Sequence, residues 1–220
     1  MRLDLSSRPE DGRDLPLALW RPGPGYRMIS TGVLGGGLGP REWVLNAQVR
    51  ANYTRTDPAA HLAGLAARLG LAGPGVGLLT AAQVTDLVQH QDGGVHAAAT
   101  VGLRVPTWAA ARPGQPDPEL APLAGTINIV VCVPVPLTDA ALVNAVLTVT
   151  EAKTQALLEA GIPGTGTATD AVCVAAPAGP PAAAEPFTGP RSTWGARIAR
   201  AVHAAVRAGA DRYTVNGRTQ

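Results

Sequence analysis

One lysine stands among seventeen arginines in this chain of 220 residues, and its surroundings make it the first candidate for chemistry. Around Lys153, the residues Asn144, Thr148, Glu151, Gln155 and Glu159 recur at steps of three and four and form one polar stripe of a helix. At about 100° per residue, Leu142, Val146, Val149 and Leu157 line the opposite face, and Lys153 falls in its middle. Burial disfavours an ammonium, so an amine held there becomes usable as acid, base or nucleophile. Arginine would ordinarily serve a mere ion pair. The structural alternative is a stem that snorkels past Ala152 and Ala156, or a quiet pair with a carboxylate. Asp170 is the first candidate partner and Glu151, on the polar stripe, the second.

Asp170 follows the run GTGTAT. In an extended segment Thr165, Thr167 and Thr169 would point the same way and offer three hydroxyls to one ligand, with Gly166 among them. A threonine-rich entry to a strand is the plainer explanation. Upstream, Gly35, Gly36 and Gly37 follow an apolar run, where three glycines let backbone amides approach a ligand. No GxGxxG opens a helix here and no GK[ST] ending follows, so neither a dinucleotide nor a phosphate-loop fingerprint is present. Asn46 can orient a substrate amide or be a satisfied core residue. Trp108, in a proline-rich connection over Arg104–Leu123, can cover a flat apolar ligand.

These residues need elements to position them. Ile127–Val133 is a β-branched run that stops at Pro134 and Pro136. Thr138 or Asp139 caps a helix that runs to Ala160 and ends at Gly161, and Ala171–Ala175 is a second strand. Strand, helix and strand make one crossover if both strands share a sheet. Further strands are expected over residues 15–20, 26–33, 43–49, 76–79 and 95–103. Helices are expected from Asp57 through Leu69 and from Ser192 onward, and residues 81–90 read as helical or irregular. His61 is expected on the surface of the first helix. The fold class is α/β: a single-domain layered sandwich over residues 1–220 with a mixed β-sheet, at least one β-α-β crossover, and flexible ends at 1–14 and 211–220.

A net charge of +2 and the absence of basic runs argue against nucleic acid as a partner. Charges at the N-terminus replace the apolar core of a signal peptide, and the longest apolar run is too short for a membrane span. A cytoplasmic protein is expected. Four histidines (His61, His90, His96, His203) lack metal-ligand spacing, so no metal site and no cofactor is expected. Cys132 and Cys173 sit in the strands flanking the central helix. A disulfide is possible if those strands are neighbours, and two buried thiols are the default in a reducing compartment.

The segments VPVPLTDAALVNAVLTVTEAKTQALLEAG and GTGTATDAVCVA resemble the adenosylcobinamide amidohydrolases of cobalamin salvage. ISTGVLGGGLGPREWVLNAQV, GVGLLTAAQV and DGGVHAAATVGL extend the resemblance over Ile29–Ala176, in order. It implies hydrolysis of the amide joining the aminopropanol arm to the corrin ring, with a corrinoid as the small-molecule substrate and cobalt belonging to that substrate. The residues meet the demands of that reaction. An alkyl amine leaves only when protonated, and Lys153 can supply the proton or act as base. Asp170 or Glu151 can tune that lysine or activate water. Amides of Gly35–Gly37 or the hydroxyls of Thr165 and Thr167 can hold the oxyanion. A threonine nucleophile activated by Lys153 is the alternative mechanism. A corrinoid carrier without catalysis, or an enzyme acting on a smaller amide, are the alternative functions.

Overall fold

The computed structural model describes residues 1–10, 12–110 and 125–217. Ten strands are present among them: β1 (Asp4–Glu10), β2 (Arg13–Trp20), β3 (Tyr26–Ser30), β4 (Gly37–Pro40), β5 (Trp43–Gln48), β6 (Gly75–Thr80), β7 (Val88–Asp92), β8 (Val95–Val101), β9 (Ile127–Cys132) and β10 (Ala171–Pro177). Three α-helices accompany them: α1 (Pro58–Arg68), α2 (Asp139–Glu159) and α3 (Thr193–Gly217). None of these helices is long and apolar enough to cross a membrane.

The strands form two sheets, not one. The first has the order β1-β2-β5-β6 and the second β4-β3-β10-β9-β8-β7. Each contains one parallel pair, β5 with β6 and β9 with β10, and each pair is bridged by a helix, α1 in the first and α2 in the second. Two crossovers therefore exist where the sequence shows one clearly. Their helices cover opposite outer faces. Leu62 and Leu65 of α1 pack on Leu17, Trp43 and Leu45 of the first sheet. Leu142, Val149 and Leu157 of α2, with Ile198 and Val202 of α3, pack on Ile129, Val131 and Val174 of the second. Between the sheets lie Trp20, Met28, Val44, Val130, Cys132 and Cys173. The result is four layers, α-β-β-α. Every residue of β9 is buried, because its odd-numbered members face the helices and its even-numbered members face the other sheet.

Several expectations for local structure are corrected. The first fourteen residues were expected to be a flexible end, yet Asp4–Glu10 pairs antiparallel with β2. As an edge strand it buries only Arg8, so it carries no apolar alternation to betray it. Within residues 81–90, Val88–His90 begin β7, and only Val84–Asp86 form a short 3₁₀ turn. The frayed tail expected from Asp211 is α3 as far as Gly217. His61 is buried on the inner side of α1. Thr148, assigned to the polar stripe of α2, is also buried and donates to Thr188 O at 2.8 Å. From residue 111 onward, the expected proline-rich connection lies outside the described residues.

The turn after β3 needs glycine. Gly35 has φ +66°, and a methyl there would collide with the carbonyl oxygen of Gly75. Gly35→Ala is expected to lower stability by about 2–3 kcal/mol, combining left-handed backbone strain with that clash, and urea unfolding checks it.

Cys132 and Cys173 are both free thiols. The β9–β10 register pairs Ala175 with Cys132 and Cys173 with Val130, so the two cysteines are offset by two positions on one face. Burial pushes the Cys173 thiol up to about 12 and raises that of Cys132 as well. The folded protein thus holds the thiol proton more tightly than the unfolded chain. The associated stability is complete below the ordinary thiol value of 9.0 and is lost as pH rises from there toward 12. Iodoacetamide at pH 8 is expected to label neither cysteine in the native protein and both after unfolding, as intact mass would show.

Candidate active site

The crossover β9–α2–β10 brings two charged groups to one point. Lys153 faces inward from the middle of α2, and Asp170 sits one residue before β10, on the same face of the sheet as Val172 and Val174. Lys153 Nζ donates to Asp170 Oδ2 at 2.5 Å, with side-chain exposures of 10% and 11%. The same oxygen accepts from the Thr167 amide at 3.1 Å. Asp170 Oδ1 accepts from the Thr167 hydroxyl at 2.6 Å and from the Ile127 amide at 3.0 Å. Four donors therefore fill the carboxylate, and it is fixed between the turn before β10 and the start of β9. Asp170 is Lys153's one hydrogen-bond partner among the described residues, which leaves two ammonium N–H bonds available. Gly166 lies directly against the pair: a methyl there would fall within contact of both Asp170 Oδ2 and Lys153 Nζ. A side chain at 166 would close the space over the ammonium.

The threonines do not form the expected extended row. Residues 162–170 are a turn, and β10 begins only at Ala171. Thr165 Oγ1 accepts from Ala109 N at 2.9 Å, while Thr107 and Gly166 form an isolated bridge. Thr167 and Thr169 hydroxyls both reach Gly125 O, at 2.8 and 3.1 Å, and Thr169 also meets the Thr126 hydroxyl at 2.6 Å. These hydroxyls tie the turn to residues 107–109 and 125–126. Only Thr167 also touches the charged pair. The partners missed in the sequence are the Ile127 amide, Gly125, Thr126, Thr107 and Ala109. Only the structure shows that β9 starts beside the turn.

Other candidates fall elsewhere. Glu151 is exposed on the opposite side of α2 from Lys153, beside Thr150, Thr154 and Leu158 in a shallow groove, so it cannot tune the lysine. Asn46 is buried between the sheets, where it donates to Thr100 Oγ1 at 3.0 Å and accepts from Asn128 Nδ2 at 2.8 Å. It is a satisfied core asparagine between the sheets. Gly37 pairs with Ser30, which pairs in turn with Cys173, so the glycine turn lies two strands from β10 at the same end of the sheet. Its Gly35 carbonyl accepts from the Arg41 guanidinium at 2.9 and 3.1 Å. Trp108 is exposed, and the residues on either side of it, Thr107 and Ala109, bond the Thr165–Gly166 turn. It stands at the rim of the Lys153–Asp170 site.

Residues 2–217 match the family model described as adenosylcobinamide amidohydrolase. The chain is 32% identical over 191 residues to the adenosylcobinamide amidohydrolase of Methanosarcina mazei, an alignment that covers 84% of this chain and 90% of that protein. It is 42% identical over 125 residues to the protein of the same name from Halobacterium salinarum, covering 54% of this chain and 51% of that one.

Proposed function

Because the chain belongs to the adenosylcobinamide amidohydrolase family, we propose that its Lys153–Asp170 centre hydrolyses the amide joining the aminopropanol arm to the corrin ring of adenosylcobinamide. The observation that supports this assignment is an almost buried ammonium with a filled carboxylate on one side and two N–H bonds that no described residue takes on the other. Asp170 acts as the positioning residue, since its lone pairs are taken by donors. Lys153 is the catalytic residue. Its free N–H bonds hold the carbonyl oxygen as negative charge develops, and it delivers the proton that lets aminopropanol leave. Water adds to the carbonyl carbon, the C–N bond breaks as the amine takes the Lys153 proton, the proton released by the water restores the Lys153 ammonium, and the products are adenosylcobyric acid and aminopropanol. Trp108 at the rim, and the Gly35–Gly37 turn at the same end of the sheet, are positioned for the broad corrin ring.

A second mechanism is favoured by one contact. The Thr167 hydroxyl points at Asp170 Oδ1 at 2.6 Å, so it can attack the carbonyl while Asp170 takes its proton and Lys153 protonates the amine. The resulting ester at Thr167 is then cleaved by water. Thr167→Val separates the two routes. Nucleophilic threonine requires loss of all but a trace of turnover, whereas direct attack by water leaves about a tenth or more of it, measured as aminopropanol released.

The carrier alternative requires adenosylcobinamide to be bound and recovered unchanged. Mass analysis of the corrinoid after incubation distinguishes it.

A further inference from the structure

Across both sheets from Lys153, on the α1 side, lies a cavity of about 540 Å³ lined by Glu10, Arg50, Tyr53, Arg55, His61 and Arg68, among others. Its floor is a chain of hydrogen-bonded groups. Arg8 Nε donates to Glu10 Oε2 at 2.9 Å, Glu10 Oε1 lies 3.2 Å from His61 Nε2, and His61 Nδ1 lies 3.0 Å from the Tyr53 hydroxyl. The Tyr53 and His61 rings stack with centroids 5.6 Å apart. His61 thereby ties the Tyr53 hydroxyl to Glu10, and Tyr53 lies on the cavity wall. Nothing in the Lys153 centre uses this relay.

The charges around the cavity do not balance. Arg8 is paired with Glu10, and Arg55 is bidentate to Asp57 at 2.7 and 2.9 Å. Arg50 and Arg68 have no carboxylate partner among the described residues. The Arg68 guanidinium lies over Gly64, where α1 offers no side chain, and its charge is felt at Arg8, adding to the burial that lowers the Arg8 value. Two guanidiniums without a carboxylate partner among the described residues line one concave surface and attract an oxyanion, and the fork of donors on arginine matches phosphate geometry. The Tyr53 hydroxyl on the same wall can donate to or accept from a ligand oxygen.

We propose that this cavity is a binding site for a phosphate group, held by Arg50 and Arg68 and hydrogen-bonded by the Tyr53 hydroxyl. A bare phosphate does not fill the volume, so free phosphate and a small phosphorylated polyol both fit.

The experiment is thermal unfolding of the full chain at constant ionic strength, with potassium chloride replaced in turn by inorganic phosphate and glycerol 3-phosphate. Phosphate at roughly ten times its Kd raises Tm by about 3–6 °C over chloride. Arg50→Gln and Arg68→Gln each remove most of the rise, and Tyr53→Phe removes a smaller part of it. Lys153→Met retains the full phosphate response, which keeps this site independent of the hydrolytic one. A larger rise with glycerol 3-phosphate than with phosphate supports the phosphorylated polyol as ligand; an equal or smaller one supports free phosphate. The proposal is overturned if phosphate gives no rise over chloride, or if the rise survives in the Arg50→Gln/Arg68→Gln double variant. A phosphate rise unchanged in Tyr53→Phe would overturn the role given to Tyr53.

Discussion

Lys153→Met is expected to cut adenosylcobinamide hydrolysis by about 10³-fold while the protein stays folded. Methionine keeps the unbranched stem that passes between α2 and the sheet and removes only the ammonium. Asp170 then loses one of four donors but keeps the amides of Ile127 and Thr167 and the Thr167 hydroxyl. Breaking a buried pair ordinarily costs several kcal/mol, and the three remaining bonds hold the loss to about 3 kcal/mol. Lys153→Arg separates charge from proton transfer. Guanidinium retains the positive charge but cannot release a proton near neutral pH. Activity is therefore expected to stay low in Lys153→Arg, with the pair's stability partly restored. Product assays beside circular dichroism and thermal unfolding check both variants.

Gly166→Ala is expected to lower kcat about 10²-fold without removing any reacting group. The added methyl falls against both Lys153 Nζ and Asp170 Oδ2. Asp170 is fixed by the backbone of Ile127 and Thr167, and the Gly166 carbonyl accepts from Thr107 N at 2.8 Å. The carboxylate and the Gly166 backbone cannot yield, so the displacement falls on Nζ at the end of the lysine side chain. The ammonium must shift, and the geometry at the amide nitrogen shifts with it. A fall in kcat with little change in KM marks displaced chemistry, whereas a rise in KM alone would mark a merely narrowed entrance.

The central crossover was legible in the sequence because its signals agree. A β-branched run stopped by prolines, a Thr138 cap that accepts from Ala141 N, and a terminal glycine at 161 with φ +74° all mark the same boundaries. Lys153 was legible for a different reason, as an amine on an apolar face in a chain that otherwise uses arginine. The division into two sheets was not legible. β9 is buried on both faces, and nothing in Ile127–Cys132 says whether helices or a second sheet lie across from it. Glu151 shows that the helical stripe outranks nearness in sequence. It is near Lys153 in sequence, yet two residues along a helix turn a side chain by about 200° and carry it to solvent. His61 illustrates the converse, because its burial depends on Glu10 and Tyr53, which reach it from β1 and from the loop before α1. The threonine row was misread because alternation implies a common face only in a strand, and Thr165, Thr167 and Thr169 belong to a turn that bonds residues 107–109 and 125–126.

The most direct test of the Lys153 centre is incubation of the protein and of Lys153→Met, side by side, with adenosylcobinamide in ¹⁸O-enriched water, followed by mass analysis of the corrinoid. The expected result is adenosylcobyric acid carrying one heavy carboxyl oxygen, with free aminopropanol, from the unaltered protein and almost none from the variant. Substrate recovered unchanged from the unaltered protein would contradict hydrolysis. Equal product from a folded Lys153→Met would show that the chemistry lies elsewhere in the molecule.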